Sequence, residues 1–397
     1  MIIRNEYLYK LKVLKDKDII KVITGIRRCG KSTLLKQFRD ELIKNGVDEK
    51  QTLYLNFEDY SLEELQDPKK LHEYILSNLD LSKKNYVFLD EIQMVEDFPK
   101  VVNSLFSRDN IDLYITGSNA YMLSSEIATY LSGRYIEIKM LPLSFKEFVS
   151  TKEDKNNLEN HYLEYIKTTS FPYVLNMTDD LNLLNDYLEG IYNTVIIKDI
   201  KTRKKISDTM LLESVIRFIA DNIGNEFSTK KISDTLTSNG RKIDVRTVEK
   251  YIDALMESFI IYQAKRYDIK GKQYLKTLDK YYLVDIGFRN MLLGNKGTDV
   301  GHILENIVYL ELLRRGKKVY VGKVGDLEVD FVAQDAKGKV YYQVAATVRD
   351  EETLNRELKS LQKIQDNYPK IILTLDNDPD ADYEGIKKIN VLKWLID

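Results

Sequence analysis

The stretch VITGIRRCGKSTLLK, residues 22–36, decides the fold. A β-branched run (IIKVIT, 19–24) breaks into a glycine-framed loop, and the chain resumes with Leu34, Leu35, Phe38 and Leu42 at helical spacing. Within the loop, Gly25, Gly30, Lys31 and Ser32 fit the pattern G-x-x-x-x-G-K-[ST]. A strand feeding a glycine loop that opens a helix is the geometry an anion needs: loop N–H groups point inward, and the helix N-terminus adds partial positive charge. The expected nucleotide-binding residues are therefore Gly25, Ile26, Arg27, Arg28, Cys29, Gly30, Lys31, Ser32 and Thr33, with a neighbouring subunit or DNA as the alternative contacts of Arg27 and Arg28. Lys31 would reach the outer phosphates, and Ser32 would offer its hydroxyl to Mg²⁺.

Downstream, NYVFLDEIQMVEDF (85–98) is an apolar strand that ends in two adjacent acids. Unpaired carboxylates are costly to bury, so Asp90 and Glu91 fit a Walker B segment better than core filling. Asp90 would hold Mg²⁺ through water, and Glu91 would polarise the attacking water. Thr116-Gly117-Ser118-Asn119 closes another strand, where Ser118 and Asn119 are candidate sensors of the γ-phosphate. Glu58 and Asp59 end LYLNFED on the same expected sheet edge and are candidates to orient Glu91 or the metal. Arg134 is the candidate arginine for transition-state charge, from the same chain or a neighbouring subunit. Cys29, between Arg28 and Lys31 near a helix N-terminus, is expected to have a lowered thiol pKa.

The strand-like runs 19–24, 51–57, 86–90, 112–117 and 134–141 alternate with helical segments, which predicts an α/β fold with a parallel sheet covered on both faces. This unit is expected to span 1–150 and to end at the polar stretch TKEDKNNLEN (151–160). A helical connector follows over 151–205. Three helical runs (211–224, 227–240 and 245–259) and two short strand runs then predict a winged helix-turn-helix over 206–285. A last α/β unit occupies 286–397.

Composition sets the outer bounds. The chain has 397 residues, 43% hydrophobic and 31% charged, as ordinary globular proteins do. A net charge of −2 rules out whole-molecule electrostatic attraction to nucleic acid. One cysteine permits no intramolecular disulfide, and three scattered histidines do not suit a histidine metal cluster. No stretch approaches the ~18 apolar residues of a membrane helix, so no membrane contact is expected and the cytoplasm is the default compartment. Residues 198–280 nevertheless hold eighteen Lys/Arg against twelve Asp/Glu, including Arg241, Lys242, Arg246 and Lys250 and six basic residues between Lys265 and Lys280. Such a patch would give salt-dependent DNA contact; solvated lysines on a protein-interaction module are the alternative.

GIRRCGKSTLL, VFLDEIQ, TGSNA and SGRYIEIKMLPLSFKEF together resemble the AAA-type ATPases of archaea and bacteria that carry a C-terminal domain of unknown function. The resemblance extends through FPYVL, IYNTVIIKDI and GHILENIVYLELLRRG and so covers nearly the whole chain. It implies an additional-strand P-loop core, a winged helix and a restriction-endonuclease-like C-terminal domain, with ATP and Mg²⁺ as cofactors. In that nuclease pattern the acids would be Glu305, Glu328 and Asp330. The acid-x-lysine tripeptide, however, reads Gln343-Val344-Ala345 here. Glutamine still has an oxygen to offer, but Ala345 cannot assist water attack, so the site is expected to be degenerate unless Lys323 or Lys339 substitutes. The expectation is an ATPase driving rearrangement of its C-terminal domains, with DNA and a protein partner as candidate partners and a homo-oligomer as a candidate assembly. A slow ATP-dependent switch on a protein partner is the first rival, and a DNA-binding regulator with little turnover the second.

Overall fold

The computed structural model describes residues 2–120, 131, 133–177, 180–201, 204, 206–274, 278–294 and 299–397. The chain divides into two compact units, Met1–Pro142 with Glu257–Phe259, and Leu143–Met256 with Ile260–Asp397. Among the described residues no helix is long and apolar enough to cross a membrane.

The first unit is built on five strands: β1 (Ile20–Thr24), β2 (Thr52–Asn56), β3 (Asn85–Asp90), β4 (Ile111–Gly117) and β5 (Tyr135–Lys139). All neighbours pair in parallel, in the order β2-β3-β4-β1-β5. β4 thus lies between the glycine-loop strand and the acidic strand, where an additional-strand P-loop sheet has its extra strand. Both faces are covered, as the near-continuous apolar runs require. On one face Val22, Val87, Leu89, Leu113 and Ile115 pack with Val101, Val102 and Leu105 of helix Phe98–Phe106. On the other, Phe88 stacks on Tyr114 at 4.9 Å, and Phe38 of helix Lys31–Lys44 covers both rings.

The break between the units falls at Pro142, ahead of the polar stretch at 151–160 that sequence composition marks as the linker. Leu143 donates its N–H to Ser170, and Phe145 of helix Phe145–Ser150 packs edge-on against Tyr162 and Tyr165 of helix Leu158–Lys167. An apolar helix ahead of a polar loop goes with whichever core it can bury itself in.

The second unit holds helices Thr209–Asp221, Thr229–Ser238 and Val245–Glu257, followed by β6 (Ile261–Ala264), β7 (Arg266–Asp268), β8 (Gln273–Tyr274) and β9 (Lys280–Leu283). β6 and β9 pair antiparallel, and Phe227 bridges to Asp279 beside them. Next come helix Val300–Arg314, β10 (Lys318–Val324), β11 (Leu327–Asp335), β12 (Gly338–Ala345), helix Glu351–Gln362, β13 (Lys370–Thr374), β14 (Ala381–Tyr383) and β15 (Ile386–Asn390). One eight-stranded sheet runs in the order β14-β15-β13-β12-β11-β10-β7-β8.

The two strand runs expected beside the three helices do pair, as β6 and β9, but the basic segment between them is partly built into the larger sheet. β7 pairs in parallel with β10, so Arg266, Tyr267 and Asp268 extend this sheet instead of standing clear of it. The backbone of β7 satisfies its hydrogen bonds there, and Lys280 is 3% exposed and unavailable to DNA. Lys265, Lys270, Lys272, Arg246 and Lys250 are exposed. Lys276, Arg203 and Lys205 lie outside the described residues.

Candidate functional site

β1 is buried along its whole length and delivers the chain to Gly25 at the carboxyl edge of the sheet. Gly25 adopts φ +154°, and a Cβ there would sit 2.1 Å from the Met140 carbonyl oxygen, so no other residue fits. Arg28 and Gly30 are left-handed at φ +67° and +103°, which closes the loop on itself. The buried guanidinium of Arg4 braces it, donating to the carbonyls of Cys29 (3.1 Å) and Leu141 (2.9 Å). Helix Lys31–Lys44 starts on Gly30, which has no side chain to satisfy the first-turn N–H groups. Ser32 and Thr33 lie half-buried in that turn.

Lys31 is 4% exposed. Its ammonium donates to the carbonyls of Gly25 (3.1 Å) and Ile26 (3.4 Å) and lies 3.3 Å from Glu91 Oε1. Burial alone would lower its pKa, but the Glu91 charge overrides this and holds it above its ordinary value. Burial pushes Glu91 upward, while Lys31 first and the Gln93 hydrogen bond second bring it net below the usual carboxylate value. Sequence reading places these two residues in one site, and the structure brings them into contact.

Asp90 ends β3 fully buried, with both oxygens held. Thr116 Oγ1 donates to Oδ1 at 2.5 Å, and Tyr54 OH donates to Oδ2 at 2.7 Å. Each oxygen keeps a lone pair for a further donor such as a metal-bound water. Thr116 Oγ1 also accepts the Glu91 N–H at 2.9 Å, and Glu91 sits left-handed at φ +54°. Gln93 Nε2 donates to Glu91 Oε2 at 2.5 Å and reaches Ser118 Oγ at 3.4 Å. Tyr54, Gln93 and Thr116 were not among the expected site residues. Thr116 carries a usable signal, since Leu89 pairs with Ile115 and the next residues out are Asp90 and Thr116.

The other candidates separate. Ser118 and Asn119 lie buried just beyond β4, beside the strand ends that carry Asp90 and Gly25. Glu58 pairs with Arg27 at 2.6 Å, and Asp59 caps the 3₁₀ turn Tyr60–Gln66 through Ser61, so neither orients Glu91. Arg134 is corrected as a same-chain arginine. It precedes β5, whose Tyr135 pairs with Ile20 and Lys139 with Thr24, so it stands at the sheet edge opposite the glycine loop. Five strand residues separate those edges by roughly 16 Å. Its guanidinium instead donates to Asn103 at 2.5 Å.

Cys29 is corrected as well. It is fully buried, and burial pushes the thiol pKa up, against the smaller opposing pull of Lys31 and Arg4. Iodoacetamide at neutral pH should therefore label the native chain at least about tenfold more slowly than the urea-unfolded chain. Equal labelling rates, followed by mass spectrometry, would show that the thiol is accessible.

In the second unit Glu305, Glu328 and Asp330 do converge, around Lys280 of β9. Neither expected substitute lysine is the one that reaches them: Lys339 Nζ lies against Tyr267 OH at 2.7 Å, and Lys323 pairs through its backbone beside Glu328. The Gln343 side chain is also taken up, accepting from Asp330 N–H (2.7 Å) and donating to Glu357 (2.7 Å). It therefore does not present the oxygen expected of it. Among the described residues, no group of three or more His, Cys, Asp or Glu is suited to hold a metal.

The P-loop donor set fits a Mg²⁺–nucleotide: an uncapped helix start, a cradle that a Cβ would fill, a hydroxyl at Ser32 and a doubly anchored carboxylate at Asp90. A family model described as "AAA domain" matches residues 17–149, and one described as "Domain of unknown function" matches 159–299. An uncharacterized protein of Haemophilus influenzae is 44% identical over 400 aligned residues, covering 100% of this chain and 99% of that protein. Another from Methanocaldococcus jannaschii is 31% identical, covering 96% of this chain and 86% of that one. Among solved structures, the Walker-type ATPase PABY2304 of Pyrococcus abyssi aligns over 74% of this chain and 96% of its own, at 16% identity and TM-score 0.48. With the AAA-domain match on its parallel sheet and a full-length relative at 44% identity, the chain belongs to the family of AAA-type P-loop ATPases that continue into a C-terminal domain of unknown function.

Proposed function

We propose that the chain binds ATP with Mg²⁺ at the Gly25–Thr33 loop, hydrolyses it, and uses the cycle to rearrange its C-terminal parts. The observation that carries this reading is the buried Lys31–Glu91 pair at the mouth of an uncapped helix, with Asp90 anchored beside it. The outer phosphates would draw Lys31 toward themselves and away from Glu91. Glu91 then loses its nearest counter-charge and becomes a stronger base for the attacking water. The water oxygen bonds to the γ-phosphorus as the bond to the bridging oxygen breaks; Glu91 takes the proton and ADP leaves. Mg²⁺, when held by Ser32 and through water by Asp90, offsets phosphate charge. Ser118 and Asn119, placed beyond β4, would contact the γ-phosphate.

A second reading, a slow switch on a protein partner, is favoured by β7 joining the large sheet and by the burial of Lys280, which together weaken the basic wing. If the three helices and the β6–β9 pair act as a winged helix on DNA, exposed Arg241, Lys242, Arg246 and Lys250, with Lys265, Lys270 and Lys272, are the contacts available to do so. Steady-state ATPase measured with and without single- and double-stranded DNA separates these, with Lys31→Ala and Glu91→Gln as controls. Stimulation by DNA supports a DNA-directed engine, and turnover indifferent to DNA supports the switch. Absence of both ATP binding and hydrolysis would refute the proposal.

Arg134 remains open to action on a neighbouring subunit. At concentrations where gel filtration shows a monomer, Arg134→Ala should change turnover by less than about twofold. A larger loss in the monomer would contradict its placement opposite the loop.

A further inference from the structure

Within the second unit, three separate segments bring charge to one point. Glu305 comes from helix Val300–Arg314, Glu328 and Asp330 from β11, and Lys280 from β9. The Lys280 ammonium lies 2.6 Å from Glu328 Oε1, 3.0 Å from Glu305 Oε1 and 4.0 Å from Asp330 Oδ1. We infer that Lys280 is the resident cation of this acid cluster, taking the place a divalent metal would occupy and closing the site to one.

A metal site needs carboxylate oxygens that converge on a common point and a cation strong enough to offset their repulsion. Here the three carboxylates converge on the Lys280 ammonium, which supplies the cation covalently, and with it in place the acids are not arranged to hold a metal. The surrounding bonds are arranged for that occupant. Tyr282 OH donates to the Glu305 oxygen that also accepts from Lys280, at 2.6 Å, and Val344 N–H donates to Asp330 Oδ2 at 2.8 Å.

Backbone geometry aims the acid. Tyr320 pairs with Val332 and Gly322 with Val329, so Asp330 and Phe331 together oppose Val321 in a β-bulge. Such an insertion kinks β11 at Asp330. Burial, with Glu305 next in weight, pushes the Asp330 pKa well up, while Lys280 is held above its ordinary value by Glu305 first, against its own burial. The three acids thus share one ammonium. Its lysine also comes from a strand that pairs outside the eight-stranded sheet, so Lys280 ties the β6–β9 pair to that sheet electrostatically. This is a different use from a lysine that activates water at a scissile phosphate, since a side chain 4% exposed does not touch an incoming strand.

The test uses the full chain, with Asp90→Asn in every arm to remove divalent binding at the P-loop. Mn²⁺ is the probe, followed by the free-ion electron-spin signal and by the thermal midpoint. The parent should take up no Mn²⁺ at this cluster, and its midpoint should not move. Lys280→Met should have a lower midpoint that Mn²⁺ raises, with one equivalent bound at least about tenfold more tightly than in the parent. That equivalent should be lost on adding Asp330→Asn. Lys280→Arg, which keeps the charge, should be as blind to Mn²⁺ as the parent. If Lys280→Met does not fold without metal, Mn²⁺ should rescue its refolding, and adding Glu328→Gln should let it fold metal-free. One equivalent of Mn²⁺ bound by the parent and lost with Asp330→Asn would overturn the inference. So would a folded Lys280→Met that ignores Mn²⁺, failure of both rescues, or Mn²⁺-dependent DNA cleavage by the parent that Asp330→Asn abolishes.

Discussion

Glu91→Gln is expected to keep ATP binding and cut turnover by roughly 10²–10⁴-fold, the range a positioned general base contributes. The substitution preserves shape and leaves an amide able to accept from Gln93, which donates to Glu91 Oε2 at 2.5 Å. It removes the carboxylate proposed to receive the proton and, without nucleotide, the counter-ion of buried Lys31. Lys31→Ala should differ in kind. It removes the proposed phosphate contact, so binding should fall, and it strands a buried carboxylate that now lies 3.3 Å from its counter-ion. Breaking a buried pair from one side costs on the order of 3 kcal/mol, and Glu91→Gln added to Lys31→Ala should recover most of that by removing the orphaned charge. Equilibrium unfolding of the four proteins without nucleotide measures this directly. Additive losses would mean that the pair is not coupled.

The sign of the pH dependence follows from the same pair. Glu91 is held below its ordinary 4.5, so its contribution is present above that value and is lost as pH falls through the depressed folded pKa. Lys31 is held above its ordinary 10.5, so its contribution is present below that value and is lost as pH rises through the raised one. Stability from this pair should be flat across neutrality and fall away only at the two extremes.

Gly25→Ala is expected to cost about 3 kcal/mol or more, a fall in midpoint on the order of 10 °C, and to abolish nucleotide binding. Two effects add at this position. The backbone adopts φ +154°, and the new Cβ would meet the Met140 carbonyl at 2.1 Å and Cys29 Sγ at 3.1 Å. Met140 cannot retreat freely, because its own N–H is bonded to the Thr24 carbonyl at 2.7 Å and it follows β5 directly. Gly46, at φ +95° with nothing within 4 Å of a Cβ, is the internal control. Gly46→Ala carries conformational strain alone and should cost only about 1 kcal/mol. Similar losses at both positions would mean that the close approach to Met140 contributes nothing.

What could be read in advance was whatever short-range chemistry enforces. A glycine pattern between a β-branched run and a helical run marks a loop opening a helix, and an apolar strand ending in two acids is not filler, so the loop at Gly25–Thr33 and the strand end at Asp90-Glu91 were legible as structure. Strand periodicity likewise placed all five strands of the first sheet. Positions whose meaning depends on a distant partner were not legible. Arg134 follows a glycine and opens a strand, which is compatible with either sheet edge until pairing with Ile20 sets its end. Cys29 has cationic neighbours in sequence, yet burial outweighs them. Gln93 and Tyr54 carry no motif and acquire roles only because Glu91 and Asp90 lie beside them.

The C-terminal half makes the same division more sharply. The resemblance named Glu305, Glu328 and Asp330 as candidate acids and marked Ala345 as a departure from the pattern. That a lysine some 25 residues before Glu305 fills the gap is written nowhere in local sequence. The sequence alone determined the glycine loop, the acidic strand end and the parallel sheet, because local sterics and hydrophobic periodicity act within a few residues. Only the tertiary structure decided which charges meet, because electrostatic partnership depends on distance and burial, and the fold sets both.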